Sequence, residues 1–415
     1  MATEEISSKF ISRFAHPFFT TTPPEDRTVK VNGAKRMTEY IASNLEPIPQ
    51  YGEKILKMTL EEVVGTNSAK EINKAGMISF HLGGDTGDPL HGMQQPIADI
   101  MSADYDIKNH TKCPSFFLHL GDVIYYDNTS EGYHKQFYEP YKKYPGKIIA
   151  IPGNHDGEMF KYNQQNQPPT GQKFSLAAFI DNFCRTQPEV PPAANTIYRQ
   201  MVAQPGVYWW LETPFIDIIG LYSNVAEGPG YIVTKQDSSQ KLWLEARLKD
   251  IASKRKPTDK FHKALIIAVH HPPFSAAGHE SSTEMLNNID ECCSTAGIMP
   301  DAIVSGHAHN YQHFQRKVKC AGKPLSVPYI VVGDSGHNAD PIVSKKGLAK
   351  PVPKNIVVGK TLLGYGYILA KVDKRQLSFE FYQVQVDATN KITKKLYDND
   401  SVSLNGSNLG TLTLK

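Results

Sequence analysis

Five short stretches of this chain carry side chains able to hold a cation or move a proton. They are Gly84-Asp85-Thr86-Gly87, Gly121-Asp122 with Tyr125 three residues on, Gly153-Asn154-His155-Asp156, His270-His271, and Gly306-His307-Ala308-His309. Taken singly, most have a plain structural explanation. Gly-Asp-x-Gly makes turns in which the Asp side chain bonds its own backbone, and a single interior histidine is more often hydrogen-bonded into a core. Taken as a set, they present a carboxylate, a carboxylate with a phenol, an amide with an imidazole, an imidazole, and two imidazoles two residues apart. Hard oxygen donors mixed with imidazoles, and no thiolate, suit a pair of ions such as iron, zinc or manganese. A carboxylate has two oxygens and can bridge two cations, and Asp122 is the expected bridge.

These stretches need something to bring them together, and the apolar pattern supplies it. Runs of strand length close on Gly, Asp, Asn or His at Met77–Leu82, Phe116–Leu120, Ile148–Ile151, Phe215–Leu221, Ala264–Val269, Ala302–Val304 and Tyr329–Val332. Helical spacing lies between them at Gln94–Met101, Glu131–Tyr144, Phe174–Cys184, Ser239–Ser253 and Ser281–Cys293. Strand, polar turn and helix in alternation predict a layered α/β fold, with ligands at the carboxyl ends of its strands. Residues 364–384 read as two alternating strands around Asp373–Arg375, a hairpin belonging to the same domain. Residues 1–74 are polar, with prolines at Pro23-Pro24 and Pro47–Pro49 and helical spacing at Ala34–Asn44 and Glu53–Val64. They are expected to form a mostly helical N-terminal extension packed on a main domain of residues 75–415. Loops are expected at Asn163–Thr170, Pro188–Ala194 and Gly336–Pro353.

Composition bounds the alternatives. A chain of 415 residues with 40% hydrophobic and 21% charged side chains is globular, and one large domain with terminal additions fits its length. Forty-five basic against 42 acidic residues leave +3, which gives no general reason to expect nucleic acid or an anionic membrane as partner. No apolar run approaches the ~18 residues of a membrane span. The opening MATEEISSKFISRF has no apolar signal core, so a cytoplasmic location is expected, with a secreted or periplasmic one open to a processed chain. Cys113, Cys184, Cys292, Cys293 and Cys320 show no CxxC spacing and read as reduced thiols.

The five stretches together resemble the motifs of the calcineurin-like metallophosphoesterases, over about Met77 to His313. In detail they are most similar to the purple acid phosphatase branch. Most of that superfamily has Asp-x-His in the first motif, where this chain has Asp85-Thr86-Gly87, and the branch has a tyrosine three residues after the bridging aspartate, as Tyr125 is here. The resemblance implies a four-layer α/β/β/α sandwich with a dinuclear metal site at the strand carboxyl ends. One ion would be held by Asp85, Asp122, Tyr125 and His309, the other by Asp122, Asn154, His270 and His307. The family's His-x-Pro pattern selects His270 over His271, and spacing from Asp122 selects Tyr125 over Tyr126. A phenolate ligand favours a small, highly charged ion, because only that lowers a phenol far below its usual ~10. The implied cofactors are two metal ions, Fe3+ and a divalent ion (Fe2+, Zn2+ or Mn2+).

The implied activity is phosphate ester hydrolysis of the acid phosphatase type, a phosphomonoesterase working by a metal-bound hydroxide on a small-molecule ester. His155 is the implied general acid, Asp156 the orienter of its ring, and His279 a supporting residue near the substrate. Two other readings stand beside it: a phosphodiesterase of the same superfamily, and a catalytically silent metal-binding scaffold. The scaffold is disfavoured because His155 accompanies every expected ligand. The chain departs from the family where Tyr311-Gln312-His313 replaces the frequent Tyr-Glu-Arg.

Overall fold

The structure is a computed structural model and describes residues 55–89, 92–106, 113–158, 170–172, 175–225, 228–234, 237–276, 279–339 and 353–414. The helix expected at Ala34–Asn44, the proline pairs before residue 50 and nearly all of the loop Asn163–Thr170 lie outside the described residues, as does 340–352 of the loop Gly336–Pro353.

Two sheets face each other. The first contains β1 (Lys57–Thr59), β5 (Trp209–Glu212), β6 (Ile216–Gly220), β7 (Ala264–Ala268), β8 (Ala302–Ser305), β10 (Lys323–Val332), β9 (Tyr311–Cys320) and β11 (Ile356–Leu362), in that spatial order, with β15 (Leu412–Thr413) also pairing to β9. The second runs β14 (Ile392–Ser403), β13 (Gln376–Val386), β12 (Tyr365–Asp373), β2 (Met77–Gly83), β3 (Phe116–His119), β4 (Lys147–Ala150). Strands β2, β3 and β4 are parallel to one another. So are β6, β7, β8 and β10. The carboxyl ends within each parallel set therefore lie along one edge of its sheet.

Alternation along the strands divides the apolar side chains between two cores. Phe116 and Leu118 point between the sheets and meet Ile218, Ile266, Val304 and Ile330 of the facing sheet. Phe80 stacks on Phe116 in that layer, centroids 5.0 Å apart. Phe117, one residue out of phase, points the other way, toward Ile97, Met101 and Tyr141. All four residues of β3 are buried, as a strand covered on both faces requires.

Helices supply the outer layers. Helix α1 (Leu60–Val64) and α2 (Thr66–Ala75) close one end of the inter-sheet core through Leu60, Val63 and Ala69. Helix α3 (Gln94–Ser102), a helical run from Ser130 to Tyr141 and α4 (Ala177–Phe183) contribute to the core outside the second sheet. Helices α5 (Ser239–Ser253) and α6 (Thr283–Ala296) cover the first sheet, with Leu244, Leu248, Met285 and Ile289 packed toward Leu265, Ile267 and Ile303. The result is a four-layer α/β/β/α sandwich. Among the described residues no helix is long and apolar enough to cross a membrane.

Several elements differ from the sequence reading, each for a local reason. The helix expected over Glu53–Val64 is split: β1 comes first, pairing in parallel with β5. Thr59 then caps α1, its hydroxyl accepting from Glu62 N while Glu62 accepts from Thr59 N. That capping box starts the helix at Leu60, seven residues later than the periodicity suggests. Helix α2 runs across the expected division at 74/75, so residues 55–75 belong to the main sandwich. The helix expected over Glu131–Tyr144 carries a π turn at His134–Tyr138. The sequence reading of Tyr329–Val332 found only the buried end of β10, whose first half pairs with β9 around Ala321-Gly322. Both turn residues have positive φ, 49° and 76°, the backbone of a tight hairpin. Exposed Lys317, Lys319 and Lys323 hid this pair of strands.

One side chain clamps the two sheets together. His313 on β9 reaches β14, with Nδ1 3.0 Å from Asp398 Oδ2 and Nε2 3.0 Å from Asp400 Oδ2. Burial works against its charge, but the two carboxylates overcome it and raise its pKa to about 9. A histidine raised on folding stabilises fully below its unfolded value of ~6.5 and loses that contribution as pH rises. We expect denaturant midpoints of the wild type to fall as pH is raised from ~6.5 through about 9. His313→Gln should flatten that segment of the curve.

Candidate metal centre

The edges of both sheets meet at the carboxyl ends of their parallel strands. Backbone bonds tie these ends directly: Gly84 N donates to Val332 O (2.9 Å), Asp85 N to Gly121 O (2.9 Å) and Gly306 N to His270 O (3.0 Å). Asp85, Asp122 and His307 each sit just beyond such a strand with left-handed φ of 56°, 52° and 66°. An L-residue held there costs ~1–3 kcal/mol, and such residues cluster at functional sites. Glycines permit the close approach. A Cβ on Gly121, itself at φ 96°, would lie 2.6 Å from His270 Nδ1, and one on Gly153 would fall on Asp122 Oδ1.

Two clusters of donor atoms result. In the first, Tyr125 Oη is 3.1 Å from both Asp85 Oδ1 and His309 Nε2, and His309 Nε2 is 3.4 Å from Asp85 Oδ1. In the second, His270 Nε2 is 3.1 Å from Asn154 Oδ1 and 3.2 Å from Asp122 Oδ2. His307 joins it, since ligand atoms of Asp122, His270 and His307 all lie within 4.8 Å of one another. The structure thus brings all seven of the expected metal-ligating residues together.

The polar bookkeeping around these atoms shows how well they suit a cation. Asp85 Oδ2 accepts from His307 N (2.7 Å) and Asp122 Oδ1 from His155 N (2.8 Å). Asp122 Oδ2 is buried, takes no aligned hydrogen bond and faces His270 Nε2 at 3.2 Å. A buried carboxylate oxygen without a donor is costly unless a cation meets it. Oδ1 accepts from His155 N, and Oδ2 is the oxygen that would more readily meet a cation.

The imidazoles are presented as lone-pair donors. His270 Nδ1 donates to Leu120 O (2.8 Å) and His309 Nδ1 to Asn338 O (3.1 Å), which turns each Nε2 to the cluster. That carbonyl contact is the usual support of a ligating histidine. Burial, then the neighbouring histidines, push His307 well down, keeping it neutral. Burial also disfavours charge on His270, but Asp122 and Asp85 reverse this and hold its pKa up. Burial would raise Asp122, and His270 and His155 hold it well down. Burial and then Asp85 and Asp122 push the Tyr125 phenol well up. Burial and the two carboxylates thus keep the Tyr125 phenol protonated, and a phenolate there would need a cation beside it.

Tyr125 is anchored by the π turn. Gln136 lies on that turn and clasps the Tyr125 backbone, accepting from its N (2.8 Å) and donating to its O (3.0 Å). A π turn at a functional site is a recurrent device.

The groups around the ligands depart from expectation in one respect. Asp156 was the expected orienter of His155. Its carboxylate instead accepts from Gly153 N (2.8 Å) and Val123 N (3.1 Å), fastening two motif loops to each other. The carboxylate beside the imidazole is that of Glu158, with Oε2 3.0 Å from His155 Nδ1. The short 3-10 turn His155–Gly157 explains the exchange: it brings the residue three later under the ring and sends the adjacent one inward. His279 is exposed and its ring lies 4.0 Å from that of His307. His271 is buried on the same side, its Nδ1 2.9 Å from Ser223 Oγ. His337 stacks on Tyr125 at 3.7 Å. Sequence reasoning passed over Glu158 and His337. The i,i+3 spacing of His155 and Glu158 was a readable signal, whereas nothing local marks His337.

The sequence profile of the family described as Calcineurin-like phosphoesterase matches residues 84–311, more than half of the chain. The chain belongs to the calcineurin-like phosphoesterase family. That match begins at the first motif and ends just past His309. Purple acid phosphatase 22 of Arabidopsis thaliana is 22% identical over 282 residues, covering 66% of this chain and 54% of that protein. The structure of purple acid phosphatase PPD1 from yellow lupin seeds superposes with a TM-score of 0.53 at 12% identity, over 79% of this chain and 54% of that one, a likeness of fold. The chain spans about half the length of these relatives.

Removing the shared carboxylate and removing a terminal one should differ. Asp122→Asn keeps the acceptor for His155 N but not the charge, and is expected to empty both clusters. Asp85→Asn should leave about one ion per chain, because the second cluster keeps its donors. Metal analysis of the purified variants against wild type checks both.

Proposed function

We propose that this centre hydrolyses phosphate monoesters, with two cations held between the donor clusters. Asp85, Tyr125 and His309 would hold one, Asn154, His270 and His307 the other, and Asp122 both. The buried Asp122 carboxylate, with no aligned hydrogen bond on Oδ2 and within ligand distance of His270 and His307, is the observation that carries this reading. The phenol of Tyr125 supports Fe3+ in the first cluster, and the imidazole and amide set supports a divalent ion such as Fe2+, Zn2+ or Mn2+ in the second. Cations bound there supply an acidified water near neutral pH and neutralise the phosphoryl oxygens.

The chain's own groups do the rest. The leaving alkoxide needs a proton, and His155 stands beside Asn154 to give it. Glu158 Oε2 lies 3.0 Å from Nδ1, an ion-pair contact without an aligned hydrogen bond, and Nε2 would be the atom that gives and later recovers the proton. His279, exposed at the mouth above His307, is placed to meet the ester group. The proposed substrate is a small-molecule phosphate ester.

Iron-loaded protein is expected to show a visible charge-transfer band that disappears in Tyr125→Phe. Iron-replete protein with no such band would contradict a phenolate ligand and remove the ferric assignment. For the acid, His155→Ala should keep both metals and lose roughly 10²–10⁴-fold in kcat on alkyl phosphates, and much less on activated aryl phosphates. Equal losses on both substrates, or faster turnover of diesters than monoesters by the wild type, would overturn the respective assignment.

A further inference from the structure

We propose that His337 is a positioning residue that clamps the ring of Tyr125 in the plane its oxygen needs at the first donor cluster. This rests on the metal-centre reading above and adds a residue outside the five motifs. His337 lies in the turn after β10, and three contacts fix it. Its N donates to Asp85 O (2.8 Å), its Nδ1 donates to Gly87 O (2.8 Å), and its ring lies on that of Tyr125 with centroids 3.7 Å apart and planes 7° from parallel. The first two attach it to the loop that carries Asp85. The third attaches that loop to Tyr125.

The opposite side of the tyrosine is also covered. The His155 ring lies 4.3 Å from the Tyr125 ring, tilted by 39°. Two rings that close to one centroid cannot share a face, so Tyr125 is held between two imidazoles, that of the proposed acid and that of His337. His309, the third group of the first cluster, meets His337 edge-on at 4.8 Å.

The need for such a clamp follows from the length of the side chain. Gln136 secures only the Tyr125 backbone. The hydroxyl lies at the far end of a ring whose χ2 is intrinsically broad, and a small swing at Cβ moves the oxygen out of reach of Asp85 and His309. A flat aromatic contact restrains both torsions and favours one ring plane. Ring plane also governs how the phenolate π-system overlaps a bound ion, so the clamp should be visible in the spectrum as well as in affinity.

The test uses the full chain and Zn2+ in competition with a chelator, with His337→Ala and His337→Phe beside wild type. Phe keeps a flat ring and loses the Nδ1 contact to Gly87. We expect wild type to bind two ions, His337→Ala to hold one of them roughly 10–100-fold more weakly, and His337→Phe to resemble wild type. In iron-loaded protein the Tyr125-dependent band should shift in His337→Ala and stay in place in His337→Phe. Unchanged affinity and an unchanged band in His337→Ala would overturn the clamp and leave the metal centre standing. Equal weakening in both variants would show that ring stacking is not the operative contact, which also overturns it. Failure of the wild type to bind Zn2+ at all would overturn the metal-centre reading and this proposal together.

Discussion

Everything at the mouth of this fold depends on two buried carboxylates, Asp85 and Asp122, whose loops are joined by the bond from Asp85 N to Gly121 O. Burying one ionised carboxylate costs several kcal/mol, and a second beside it adds repulsion. Backbone amides offset part of this, since His307 N and His155 N each hold one oxygen. They leave the remaining oxygens to imidazoles and a phenol. A cluster assembled in this way has an excess of negative charge in a dry place, and its most favourable occupant is a multiply charged cation.

Sheet geometry is what makes the approach feasible. Parallel strands deliver their carboxyl ends along one edge, and two such edges face each other across the inter-sheet core. The backbone bond from Gly84 N to Val332 O joins the two sheets at that point, and Gly306 packs against the Asp85 carboxylate. Left-handed turns at Asp85, Asp122 and His307 then aim the side chains across the gap instead of along the strands. The strain in those turns is supported by a core of fully buried strands on either side, which is why it can persist.

Much of this was legible in the sequence, because buried strands announce themselves. Met77–Gly83, Phe116–His119 and Ala264–Ala268 are apolar runs ended by Gly, Asp or His, and their position in the fold follows the pattern within a residue or two. Helix Ser239–Ser253 has the bounds that its spacing predicts. What was not legible is where local chemistry overrides periodicity. Residues 57–59 are too few for a period, and a threonine cap decides where the helix begins. The long strands β9 and β14 alternate charged residues with buried ones and carry the His313 clamp, whose partners are 85 and 87 residues apart. Contacts of that range leave no trace in a local pattern. The same applies to His337, which only the closing of the two sheets brings over Tyr125.

The choice between Asp156 and Glu158 shows how burial sorts acidic residues by role. Asp156 is fully buried, faces backbone amides and lies near Asp122, and burial and then that carboxylate push its pKa up. Asp334, beneath Asp85, has neither oxygen hydrogen-bonded, and burial drives it well above the carboxylate range. Burial thus favours the neutral form of both, whereas His270 and His155 hold Asp122 well down. Glu158 faces His155 instead. Its Oε2 lies 3.0 Å from the imidazole Nδ1. Had Asp156 been the orienter, the acid and the bridging carboxylate would have competed for one buried pocket. The single 3-10 turn sends Asp156 to the backbone amides and Glu158 to the imidazole.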